Sequence, residues 1–172
     1  LLDAGSYPMS LIRLVLGSAP DRVLAHSNWA DSGVDIATQA TLLWQDGRVA
    51  QLSCAMNAAN HRHASIVGSA GTVETEYLNH TAISATSDAR GYLPGQLRVR
   101  RGIANTLPFE AVDCPVGSGF RFAAEAFAHV VATQDFAAID RAAAASLDIA
   151  ATLEAVARAA RSGQVERVNP DR

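Results

Sequence analysis

Along this 172-residue chain the hydrophobic positions change their period twice, from helical to alternating and back to helical. Between Pro8 and Leu16, Met9, Leu11, Ile12, Leu14, Val15 and Leu16 are interrupted only by Ser10 and Arg13, and Gly17 follows as a C-cap. A helix apolar nearly all round is buried on more than one side. One side can lie on the chain's own sheet, and the other calls for a further partner. The following stretch has period two. Ile36, Thr38, Ala40, Leu42 and Trp44 alternate with Ala37, Gln39, Thr41 and Leu43, and Ala50, Leu52, Cys54 and Met56 resume after Gln45-Asp46-Gly47. A two-residue turn would pair Leu42 with Gln51 and Ala40 with Ser53, mixing the two faces. A three-residue loop with Gly47 in the left-handed conformation pairs Leu42 with Ala50, Ala40 with Leu52, Thr38 with Cys54 and Ile36 with Met56. The second register keeps one face apolar and is the one expected.

Further strands are expected over Arg22–Trp29, His61–Val67, Thr72–Tyr77, Thr81–Thr86, Gln96–Arg101 and Phe109–Val112, punctuated by Gly68, Gly71, Gly91, Pro94, Gly95 and Gly102. The helical period then returns. Phe120, Ala123, Ala124, Phe127, Val130 and Val131 share one face, and a second helix from about Ser146 to Ser162 would bury Leu147, Ala150, Leu153, Ala157 and Ala160. Glu154 and Arg158 support its exposed side. Helix, meander, helices is an α+β pattern: an open, mostly antiparallel sheet with helices packed on one face. The other face of the hairpin, with Gln39, Thr41, Leu43, Val49, Gln51 and Ser53, is too mixed for a core and too apolar for a solvated surface. It suits a contact with a second copy, giving a homodimer or homotetramer through the open sheet face.

Composition narrows the class. Apolar residues make up 49% of the chain and charged residues 18%, the balance of a folded domain. The net charge of -3 argues against a nucleic-acid surface, and Arg98, Arg100 and Arg101 read as a solvated strand edge. Cys54 and Cys114 lack metal-ligand spacing, which fits a reduced, cytoplasmic setting. No apolar run approaches the roughly 18 residues of a membrane span.

Two constellations could carry chemistry. Asp3 and Tyr7 are four apart, so on a helix they lie one above the other near its N-terminal end. A phenol can trade a proton with a substrate hydroxyl, and a carboxylate beside it can orient that hydroxyl or a lysine. The structural alternative makes Asp3 a helix N-cap and Tyr7 an amphipathic core residue. His61 and His63 share a face of a strand, spacing that can ligate zinc, but no carboxylate or cysteine stands nearby in sequence, so no metal is expected. His61 and Arg62 are instead candidates for a substrate cleft. Asp35, at a strand entrance, is accounted for by turn chemistry. No G-x-S-x-G elbow is present.

Four segments in order, LLDAGSYPMSLIRLVLG, SGVDIATQATLLWQDGRVAQLSC, IVGSAGTVE and SLDIAATLEAVARAARSGQ, resemble the C-terminal domain of the Gfo/Idh/MocA family of NAD(P)-dependent oxidoreductases. The resemblance spans nearly the whole chain. It implies that residues 1–172 form a C-terminal substrate-binding and oligomerisation domain, and that NAD or NADP is bound mainly by an N-terminal dinucleotide-binding domain outside these residues. It also implies that Tyr7 is the proton donor or acceptor, with Asp3 beside it, and that the substrate is a sugar-like or cyclic polyol small molecule. The sequence lacks G-x-G-x-x-G and the Glu-Lys-Pro segment that would supply a lysine beside Tyr7, so the chain alone is expected to be inactive. A competing reading is a non-catalytic sheet module for oligomerisation or ligand binding.

Overall fold

The computed structural model describes residues 1–59, 61–75, 97–115 and 117–169. These fall into two compact units, one of residues 1–59 and 135–172 and one of residues 60–134.

The first unit opens with α1 (Ser6–Leu16). Pro8 sits in its first turn, where a missing N–H costs nothing because those donors have no partner within the helix. Gly17 ends it in the left-handed conformation, its N–H donating to the Arg13 carbonyl at 2.9 Å. Strands β1 (Arg22–Trp29), β2 (Asp35–Leu43) and β3 (Val49–Ala55) follow. With β8 (Glu166–Arg167), a short edge strand not expected from the sequence, they form an antiparallel sheet in the order β3-β2-β1-β8. The hairpin register is the one the faces require: Leu42 pairs with Ala50, Ala40 with Leu52 and Thr38 with Cys54, while the Met56 N–H donates to the Ile36 carbonyl. Gly47 takes φ +89°, the left-handed position of the three-residue loop.

Alternation decides the faces. Val23, Ala25 and Ser27 of β1 and Thr38, Ala40 and Leu42 of β2 point inward. On them lie Met9 of α1 and Leu153, Ala155, Val156 and Ala159 of α3 (Phe136–Ser162). So α1 and α3 pack on one face of this sheet. Arg13 of α1 and Asp148 of α3 add an ion pair at 2.6 Å. As the nearly all-round apolar pattern of α1 required, one side is covered by the sheet, whereas Leu14 and Val15 stay exposed.

Helix α3 differs from expectation in two ways. It starts at Phe136 rather than near Ser146, because Asp135 caps it by accepting from the Ala138 N–H at 3.0 Å and the alanine run continues the helix. Its buried stripe is also rotated, to Thr152, Leu153, Ala155, Val156 and Ala159, leaving Leu147 and Ala150 exposed. Thr152 tolerates burial because its hydroxyl donates to the Asp148 carbonyl at 2.7 Å.

The second unit holds a separate antiparallel sheet, β4-β5-β6-β7, made of Ala64–Gly68, Gly71–Thr75, Leu97–Arg101 and Glu110–Val112. Strand β4 begins at Ala64, so His61 and His63 precede it rather than belong to it. The expected strand Thr81–Thr86, and with it Tyr77, Gly91, Pro94, Gly95 and Gln96, lies outside the described residues. The arginine edge is more structured than a solvated one. Arg98 pairs with Glu74 at 2.6 Å, and Arg98 and Arg100 each stand 4.9 Å from the centre of the Phe109 ring. Helix α2 (Gly119–Thr133) carries no buried residue, and Phe127 and Val131 of its expected inward face are exposed. Amphipathic spacing shows that a face can be buried, not what buries it.

Candidate functional site

The turn before α1 carries Asp3, and the first turn of α1 carries Tyr7. The Gly5 N–H donates to the Leu1 carbonyl at 2.8 Å and the Met9 N–H to the Gly5 carbonyl at 3.2 Å, so the path from Leu1 into the helix is one continuous coil. Asp3 and Tyr7 are therefore about one turn apart, and both are exposed, Tyr7 by 45%. The N-cap is Gly5, not Asp3. Asp3 contributes its carbonyl, which accepts from the Ser6 hydroxyl at 2.8 Å, and its carboxylate has no partner among the described residues. The N-cap alternative for Asp3 does not describe this structure, nor does burial describe Tyr7.

Beneath the turn, on the inner face of the sheet, lies a polar group that sequence reasoning passed over. Ser27 and Thr38 are cross-strand partners, 5% and 1% exposed, with their hydroxyl oxygens 2.7 Å apart. Thr38 Oγ1 stands 3.3 Å from Asp35 Oδ2, which also accepts from the Leu1 nitrogen. Burial pushes the Asp35 carboxyl up, but the Leu1 and Thr38 donors outweigh it and hold it below the ordinary value. Cys54, opposite Thr38, is pushed the other way: burial raises its thiol, with the Asp35 charge adding to that. The signal in the sequence was Ser27 and Thr38 standing at inward positions of alternating strands. Asp35 does more than turn chemistry, since it opens β2 and accepts from the Thr38 hydroxyl.

His61 and His63 belong to the second unit, with ring centres 5.8 Å apart, and His63 Nε2 lies 3.1 Å from the Ser65 hydroxyl. Arg62 is exposed beside them. Among the described residues no three His, Cys, Asp or Glu side chains gather as a metal site. None of the helices is long and apolar enough to cross a membrane, again among the described residues.

A dinucleotide's phosphates sit where a parallel strand feeds a glycine-rich turn and a helix N-terminus. The described residues do not fit that need. Every strand pairing is antiparallel. The space above Gly117, ahead of α2, is taken by the Arg121 and Phe122 side chains. The first turn of α3 is already served by the Asp135 carboxylate.

Residues 1–74 match the family described as the GFO/IDH/MocA C-terminal domain. Trans-1,2-dihydrobenzene-1,2-diol dehydrogenase of Danio rerio is 35% identical over 75 residues, 43% of this chain and 22% of that protein. Among solved structures, the aldose-aldose oxidoreductase from Caulobacter crescentus complexed with glycerol superposes with a TM-score of 0.70 at 20% identity, covering 97% of this chain and 47% of the other. The 3-ketoreductase KijD10 from Actinomadura kijaniata, in complex with NADP, gives 0.72 at 23% identity over 92% of this chain and 47% of the other. At such identities the two structures share the α+β fold with this chain. The chain spans less than half the length of each of these proteins.

Proposed function

We propose that this chain is a GFO/IDH/MocA C-terminal domain and the substrate-side half of an NAD(P)-dependent oxidoreductase acting on a hydroxyl/carbonyl pair of a sugar-like or cyclic polyol compound. One observation carries the reading: Asp3 and Tyr7 lie one turn apart and solvent-accessible at the start of α1, with the Asp3 carboxylate unclaimed by the helix as a cap. The domain match begins with this segment, and the named relatives include a diol dehydrogenase, an aldose oxidoreductase and a ketoreductase. NAD or NADP supplies the redox chemistry from a dinucleotide-binding domain outside these residues, which accords with the poor fit of the described residues to dinucleotide phosphates.

This chain's part is acid–base and positional. The Tyr7 phenol gives a proton to, or takes one from, the substrate oxygen, and the Asp3 carboxylate orients a substrate hydroxyl or a lysine of the other domain. His61 and Arg62 offer further hydrogen bonds to a polyhydroxylated substrate. A homodimer or homotetramer would form through the outer face of the first sheet, where Leu43 and Val49 are direct cross-strand partners. The cytoplasm is the proposed setting.

Calorimetric titration of this chain with NAD(H) and NADP(H) tests the division of labour. No saturable binding is expected. Micromolar binding would place the cofactor's phosphates on this chain and overturn the proposal. Asp3→Asn in the protein that carries both domains should lower turnover and spare dinucleotide affinity, and unchanged kinetics would remove Asp3 from the site.

A further inference from the structure

Strand β6 carries three arginines, Arg98, Arg100 and Arg101, and the structure treats them unequally. Arg98 gives two nitrogens to one carboxylate oxygen of Glu74, Nε at 2.8 Å and Nη2 at 2.6 Å. Arg101 lies on the opposite face by alternation and stands 3.6 Å from Glu110. Arg100 meets no carboxylate within ion-pair distance among the described residues. Its side chain is half-buried, and its Nε is shut off from water without an acceptor, so the accessible end is the edge formed by Nη1 and Nη2. A buried donor left without an acceptor costs free energy and calls for an explanation. The guanidinium charge is delocalised over all three nitrogens. Poor solvation at Nε therefore makes an anion at the open edge worth more than it would be on a fully hydrated arginine.

The side chain is also held in place. Its guanidinium carbon stands 4.9 Å from the centre of the Phe109 ring, a contact that spends none of its N–H groups on an oxygen acceptor. A Cβ at Gly71 would collide with the Arg100 carbonyl, so only glycine lets β5 lie this close to the Arg100 main chain. Thr72, directly opposite Arg100 on β5, turns its side chain to the same face. Glu74, the next residue of β5 on that face, is already committed to Arg98.

We propose that Arg100, backed by Phe109 and flanked by Thr72, is the anchor of an oxyanion subsite on the second sheet, taking the carboxylate or phosphate group of a small molecule. Its two Nη donors match two oxygens of either group. One guanidinium suits a single oxyanion and is not the cradle of main-chain N–H groups that a dinucleotide's phosphates take. The subsite stands independently of the roles proposed for Asp3 and Tyr7.

Arginine side-chain NMR on this chain tests it, because an Nε–H shut off from water exchanges slowly enough to give its own signal. Inorganic phosphate and malonate are titrated separately, at an ionic strength held constant with chloride. A saturable shift of the Arg100 Nε–H signal at millimolar concentration is expected with at least one of them. Saturation by phosphate alone assigns a phosphate ligand, by malonate alone a carboxylate, and by both the fork geometry the two share. Arg100→Lys keeps the charge and loses the fork. Followed at the Thr72 amide, it should weaken binding roughly tenfold or more, the scale of a hydrogen bond between charged groups. Arg121→Gln, which removes an exposed arginine of α2, should bind as the parent does. No saturable shift with either anion overturns the subsite. A response of the parent protein centred on Arg98 rather than Arg100 also overturns it, and that reading needs no variant. Equal affinity of the Arg100→Lys and parent proteins overturns it too, since charge alone would then account for the attraction.

Discussion

Met9 is the one buried residue of α1, at 0% exposure, so Met9→Ala is the change that most directly loosens the helix carrying Tyr7. The substitution takes the thioether end of the side chain out of the cluster formed with Val23, Leu42 and Val156. At about 0.8 kcal/mol per buried methylene-sized group, the transfer loss alone is about 2 kcal/mol. A cavity that closes incompletely brings the total to about 2–5 kcal/mol. Leu14→Ala on the same helix is the control. Leu14 is 79% exposed, and its truncation should change stability by no more than about 0.5 kcal/mol. Both tryptophans, Trp29 and Trp44, lie in the first unit, and Trp44 is buried in its core. Tryptophan fluorescence in urea therefore reports that unit without contribution from the other. At a slope of about 1–2 kcal/mol per molar urea, Met9→Ala should lower the midpoint by roughly 1 M or more. Equal midpoints for Met9→Ala and Leu14→Ala would refute the docking of α1 described here.

Two further outcomes follow from the same sheet. Leu43→Lys or Val49→Lys should place like charges at the proposed contact between copies and dissociate the oligomer, read by light scattering, because an unpaired buried charge costs several kcal/mol; an unchanged oligomer, or a parent that is monomeric at high concentration, would locate no interface there. Gly47→Ala should cost about 1 kcal/mol in the fluorescence assay, because alanine resists the φ of +89° that closes the loop; an unchanged midpoint would mean that the loop takes another conformation.

The sequence was most legible where two constraints agreed. In the hairpin, loop geometry offered two registers and alternation of the faces admitted only the one observed. It was least legible where hydrophobic contrast was weak. Residues 142–145 are all alanine, so the inward stripe of α3 could not be placed from periodicity, and its start depended on a single capping aspartate. Aromatic contacts between distant segments, such as Phe109 with Arg98 and Arg100, leave no local pattern. At the candidate site, the spacing of Asp3 and Tyr7 was visible and their exposure was not.

Turnover of a Tyr7→Phe variant, measured in the two-domain protein beside a titration of its nicotinamide cofactor, decides whether Tyr7 carries the proton. Phenylalanine keeps the ring and removes only the proton-carrying hydroxyl. kcat should fall roughly 10²- to 10⁴-fold, the scale of general acid–base catalysis, with cofactor affinity unchanged. Near-parental turnover by a correctly folded Tyr7→Phe protein would contradict it.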